Sequence, residues 1–286
     1  MVFLFRVLGF LPLRLLHALG ALAGLAAYAF APRYRQLLDE NLAAAGFDDR
    51  ALRRAAAAEA GRAAFELPRL WMRPQAEVVA RVVRVSGWSL VEDAWQAGRG
   101  ILFLTPHLGC FEITAQYYAA FRPMTVLYRR PKRAALAPLI ERGRGANLRL
   151  AAADMSGVRA LLKTLKAGEA VGMLPDQVPG AGEGVWVPFF GRPAYTMTLA
   201  ARLAATGATV VLAYAERLPQ GRGYHLHLFP FAAVAEASPE ILAARINAAL
   251  ETLIRRCPAQ YAWGYNRYKR PRGAPAAPPA TTETTR

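Results

Sequence analysis

Two cysteines in 286 residues, Cys110 and Cys257, are too few for a disulfide framework or a cysteine-rich zinc site. Nothing in their spacing pairs them, so a reduced cytosolic compartment is expected. Acid is scarce too: 20 Asp and Glu face 36 Lys and Arg, a formal net charge of +16 and a pI near 10.6. No internal repeat is visible, and 23 glycines and 20 prolines recur without a period, which excludes collagen-like and low-complexity chains. The polar excess of a disordered protein is also missing. Hydrophobic residues make up 54% and mean hydropathy is +0.15, enough for one large domain with an appendage or two small domains. Charge bears on partners rather than on fold. Nucleic-acid binders set their basic residues on an otherwise polar face, whereas basicity joined to this much apolar surface favours a membrane, so no nucleic-acid partner is expected.

The first 35 residues carry four charges, Arg6, Arg14, Arg33 and Arg35, and the first acid is Asp39. Between Arg14 and Arg33 lie 18 uncharged residues, near the lower limit for crossing hydrocarbon. Ala29-Phe30-Ala31 offers a small-x-small cleavage site, but Pro32 would follow the cut directly. A peptidase needs an extended chain there. The segment reads instead as a retained membrane anchor, spanning or embedded in one leaflet with its arginines at the head groups.

Four regions follow from the pattern: an anchor over 1–35, an alanine-rich helical segment over 36–82 packed on the main domain, the main domain over 83–270, and a proline- and threonine-rich disordered tail over 271–286. Within the main domain, apolar runs at 101–105, 124–128, 148–152, 170–174 and 209–214 alternate with helical stretches at 111–120, 136–144, 157–167 and 198–206. Further strands are expected at 184–190 and 224–231, and a last amphipathic helix at 239–256. This alternation predicts an α/β fold, a layered α/β/α domain with a mostly parallel sheet. Ligands in such sheets gather at the carboxyl ends of the strands, so chemistry is sought just after each apolar run.

His107 follows one such run and Glu112 comes five residues later, with Pro106 and Gly109 shaping a turn between them. Within one helix five residues would set the side chains about 140° apart. A turn lets the carboxylate fold back, fix the imidazole tautomer and leave the other nitrogen as a general base. The alternative is a histidine capping the sheet edge beside an unrelated surface glutamate. Cys110, between Gly109 and Phe111, reads as a small apolar helix-start residue rather than a nucleophile. Without a protein nucleophile, the substrate supplies the attacking hydroxyl, and the reaction is direct acyl transfer. From Arg122 to Arg149 eight basic residues, Arg129 and Arg144 among them, face one acid, Glu141. Such a run is either a solvated face or a phosphate or carboxylate site. Asp176 closes another strand, where it would order these arginines or touch a substrate hydroxyl. No metal site is expected, because no second histidine or acid has ligand spacing.

Five segments carry a family resemblance: HLGCFE at 107–112, LYRRP at 127–131, MLPDQ at 173–177, VPFFGRPAYT at 187–196 and WGYNRYK at 263–269. Together, in this order, they resemble the bacterial lipid A late acyltransferases of the lysophospholipid acyltransferase superfamily. The resemblance implies a cofactor-free enzyme on the cytoplasmic face of the inner membrane. Its donor would be an acyl carrier protein thioester and its glycolipid acceptor a Kdo-lipid IVA type precursor. It makes His107 and Glu112 the catalytic pair and Arg144, Asp176 and Arg129 substrate-binding residues. Related enzymes acylate other glycolipids and lysophospholipids. A thioester hydrolase and a non-catalytic membrane-binding module are the rival functions.

Overall fold

A computed structural model describes residues 2–128, 147–233 and 237–278. The apolar runs and the strand expected at 224–231 become β2 (Ile101–Leu104), β3 (Met124–Tyr128), β4 (Leu148–Ala152), β5 (Ala170–Met173), β8 (Thr209–Arg217) and β9 (Tyr224–Phe231), and β1 (Val82–Ser86), which the pattern did not predict, joins them in one seven-stranded sheet, ordered β1-β9-β8-β2-β5-β3-β4. β6 (Gly184–Phe189) and β7 (Arg192–Met197) pair as a separate antiparallel ribbon. Strands β8, β2, β5, β3 and β4 run parallel, as predicted. The turn at Pro219–Gly221 is too short for a crossover, so β9 returns antiparallel to β8, and β1 lies parallel to β9. β2 and β5 are buried along their whole length, which is why their sequences read as unbroken apolar runs.

Helices cover both faces. On one face α8 (Met155–Lys166), α9 (Thr198–Ala204) and α10 (Pro239–Arg256) pack on Leu102, Leu104, Val171 and Leu212. On the other, α6 (Ser89–Gln96) and α7 (Phe111–Ala119) meet Ile101, Phe103, Val211 and Ala213. The helix expected at 136–144 lies outside the described residues.

The N-terminal part is α1 (Val2–Phe10), α2 (Leu13–Phe30), α3 (Pro32–Ala44), α4 (Arg50–Met72) and α5 (Gln75–Val79). Asp49 caps α4 by accepting from the backbone N–H groups of Ala51 and Leu52 at 2.9 and 3.3 Å. α2 lies against α4 through a seam of small residues. A Cβ on Gly61 would stand 1.9 Å from the Gly20 carbonyl oxygen, so only glycine permits this approach. Leu13, Leu16, His17, Gly20 and Gly24 face inward, while Leu15, Leu19, Leu22 and Leu25 form an exposed apolar stripe on the opposite face. α2 is long and apolar enough to cross a membrane.

Residues 271–278 pack on the domain: Ala274 is buried, its carbonyl accepts from Arg270 Nε at 2.9 Å, and the Pro275 carbonyl accepts from Trp186 Nε1 at 3.0 Å. Composition alone cannot show that a Trp on β6 waits for that carbonyl. Residues 279–286 lie outside the described part of the tail.

Candidate active site

β2 and β5 are parallel neighbours with Leu104 opposite Met173, and the Thr105 N–H extends the ladder to the Met173 carbonyl at 2.9 Å. Three residues beyond each of these register partners come His107 and Asp176. Their side chains therefore meet: His107 Nδ1 lies 2.8 Å from Asp176 Oδ1, and the His107 backbone N–H donates to Oδ2 at 2.8 Å. Both carboxylate oxygens thus serve His107. Asp176 is 2% exposed. Burial pushes its carboxyl pKa up, but the His107 charge and hydrogen bonds, with Arg267 behind, outweigh this and hold it below the usual carboxylate value. An ionised carboxylate can only accept, so Nδ1 is the donor, and in the neutral form of the ring Nε2 keeps the lone pair. The Gln177 side-chain amide donates to Nε2 of that form at 3.1 Å.

The turn after His107 is held from three sides. Gly109 has φ +61°, and a Cβ there would stand 2.0 Å from the Ala215 carbonyl oxygen. Its N–H donates to the Gln260 carbonyl at 3.0 Å, the Cys110 N–H to the Ala215 carbonyl at 2.8 Å, and the Ala262 N–H to the His107 carbonyl at 3.1 Å. The backbone donors of residues 107–110 are all engaged, the Leu108 N–H reaching the Pro106 carbonyl at 2.7 Å. They are not available as an oxyanion hole. Cys110 is buried, and burial pushes its thiol well above the ordinary value, in keeping with a packing residue. Glu112 sits half-buried in the first turn of α7. Arg129 and Arg144 lie outside the described residues.

Sequence reasoning missed three supporting residues. Gln177 sits on His107, Gln260 holds the turn, and Arg267 is buried with Nη1 on the Tyr195 carbonyl at 2.8 Å and Nη2 on Thr196 Oγ1 at 2.7 Å. Gln177 and Arg267 belong to MLPDQ and WGYNRYK, so the signal was present as motif without partner. Behind the turn, Arg217 makes a two-pronged pair with Glu66 at 2.7 and 2.9 Å and reaches Glu59 at 2.7 Å. His17 of α2 and the Tyr224 hydroxyl complete this cluster on Glu66 at 3.1 and 2.9 Å. Gln260 connects cluster and turn, because its side chain pairs with the Arg217 backbone at 2.8 and 2.9 Å.

A mostly parallel sheet presenting a carboxylate-held histidine at its strand ends, with an apolar helix long enough to cross a membrane, fits a membrane-associated enzyme of group transfer. Residues 1–270 match the model of the bacterial lipid A biosynthesis acyltransferases, and the chain belongs to that family. It is similar to the lipid A biosynthesis lauroyltransferase of Escherichia coli strain K12, 31% identical over 76% of this chain and 71% of that protein. The lipid A biosynthesis palmitoleoyltransferase of the same strain is 27% identical over 73% of this chain and 68% of its own. A lipid A biosynthesis acyltransferase of Haemophilus influenzae is 26% identical over 62% and 56%. The protein is thus an acyltransferase of lipid A biosynthesis, membrane-associated and acting on a glycolipid.

Proposed function

We propose that this enzyme moves a fatty acyl chain from an acyl carrier protein thioester to a hydroxyl of a Kdo-lipid IVA type precursor, with His107 as general base and no covalent acyl-enzyme. The observation that carries the reading is the Asp176–His107 pair: a buried carboxylate on Nδ1 leaves Nε2 basic and facing outward. When the acceptor hydroxyl takes the place of the Gln177 amide on Nε2, His107 removes its proton as the oxygen attacks the thioester carbonyl. Such a base contributes typically about 10²–10⁴-fold. The carbonyl oxygen gains negative charge, the tetrahedral intermediate collapses with cleavage of the C–S bond, and His107 passes its proton to the leaving sulfur, which departs as the carrier thiol. With the 107–110 backbone donors engaged, the displaced Gln177 amide or a cationic side chain stabilises the oxyanion. Glu112, at the start of α7, completes the catalytic pair with His107, and Asp176 acts as a positioning residue. Arg129 and Arg144 hold acceptor phosphates or the acidic carrier protein, a fork-shaped recognition that lysine does not reproduce.

The exposed stripe on α2 supports an anchor embedded in one leaflet of the inner membrane, with the sheet on the cytoplasmic side. The inner face of α2 is spent on α4, a helix carrying Arg50, Arg53, Arg54, Glu59 and Arg62 that does not enter hydrocarbon.

Product analysis with purified enzyme, acyl carrier thioester and lipid acceptor tests the reading. Acylated glycolipid is expected from the wild type and none from His107→Ala, while Glu112→Ala slows turnover with folding kept. Free fatty acid alone would show a hydrolase, no product at all a binding module, and near-wild-type transfer by His107→Ala would remove the mechanism.

A further inference from the structure

Outside this site, β8 and β9 bring together three side chains that the sequence separates. On β9, His225 and His227 are two residues apart and share the face opposite Tyr224, Leu226 and Leu228. Glu216 of β8 stands directly across from His225 in the antiparallel register and diagonal to His227. Its Oε2 lies 3.0 Å from His227 Nε2, and the two imidazole rings are 3.7 Å apart between centroids. One donor atom from each of the three residues falls within 4.8 Å of the others. A tetrahedral zinc with ligands at 2.0–2.2 Å needs donors about 3.3–3.5 Å apart, so rotamer adjustments of about 1 Å bring this set to bonding geometry.

We propose that Glu216, His225 and His227 form a binding site for a divalent transition metal of the zinc type. Two imidazoles and a carboxylate select Zn²⁺ over Mg²⁺ or Ca²⁺, which prefer all-oxygen cages. Three protein ligands leave the fourth position to water, and the side chains of His227 and Glu216 are 16% and 35% exposed, so an ion has a path in. Ser86 Oγ, 2.8 Å from His225 Nε2, holds that ring from β1. A bound ion ties β8 to β9 and, through Ser86, to the edge strand. Glu216 follows Ala215, whose carbonyl fastens the turn after His107, so the clamp stiffens the strand that carries that support. No metal site is expected from ligand spacing along the sequence, and Glu216 joins His225 and His227 only through the pairing of β8 with β9.

The test uses tag-free full-length protein in detergent, stripped with chelator and titrated with Co²⁺ and with Zn²⁺. The wild type is expected to bind a single equivalent, to show the visible absorption of low-symmetry four-coordinate Co²⁺, and to gain thermal stability with Zn²⁺. His227→Gln and Glu216→Gln should each weaken binding by at least about 10-fold with the circular dichroism spectrum unchanged. Cys257→Ser should bind as the wild type does. No stoichiometric uptake, uptake unchanged in His227→Gln and Glu216→Gln, or uptake lost in Cys257→Ser would each overturn the site.

Discussion

At the scale of single residues, the candidate chemistry rests on one proton placed by one carboxylate. Replacing Asp176 by Asn keeps size and shape but lets an amide N–H face Nδ1, which moves the imidazole proton to Nε2 and removes the base. Asp176→Asn should therefore lower kcat by about 10²–10⁴-fold with KM little changed, read from initial rates at varied acceptor. The pair persists at neutral pH because Asp176 titrates below the ordinary carboxylate range. A depressed carboxylate contributes stability above its unfolded pKa and loses it as pH falls through the folded one, so only acid below the ordinary carboxylate range should disturb it. Equal rates in Asp176→Asn and wild type would leave the orienting part to Glu112.

At the scale of elements, the join between anchor helix, α4 and sheet depends on a buried charge cluster. Burial pushes Glu66 up, yet the Arg217 charge and hydrogen bonds, with His17, bring it down to about 2. Its contribution is fully present above about pH 4.5, the ordinary value, and is lost as pH falls toward about 2. Glu66→Ala leaves the buried Arg217 with Glu59 as its remaining carboxylate partner, a loss of up to about 3–5 kcal/mol, and should lower the thermal midpoint by on the order of 10 °C. Circular dichroism melts at pH 7 check this, and the gap between variant and wild type should narrow as pH falls below about 4. The same cluster carries His17 on α2, so Glu66→Ala should also free the anchor helix to limited proteolysis.

Across the whole molecule, a basic body of net charge +16 meets a stripe of exposed leucines on one helix. Each leucine moved from water into lipid contributes about 1.5–3 kcal/mol, so the double change Leu19→Glu and Leu22→Glu should weaken vesicle binding at least 10-fold in flotation assays while the melt is preserved. Leu16→Glu points the other way, into the seam with α4, and should unfold the N-terminal part instead. If both changes affected binding and folding alike, the stripe would not be the membrane face.

Much of this architecture was legible in the chain. β3, β4, β9 and α10 fall where the apolar rhythm places them, and the turn after β2 announced His107. Shorter elements escaped: α6 has eight residues, and β7 carries Arg192 and Pro193, which mask its alternation. Side-chain order along a strand, helical period and turn residues are local properties, and the sequence by itself determined them. Partnership across the sheet is not local. Only the tertiary structure decided that β2 lies beside β5, setting Asp176 on His107 across 69 residues. The same folding set Glu66 on Arg217 across 151 residues and Glu216 opposite His225. The physical reason is that strand order and register minimise the free energy of the whole core at once, and no segment read alone contains that sum.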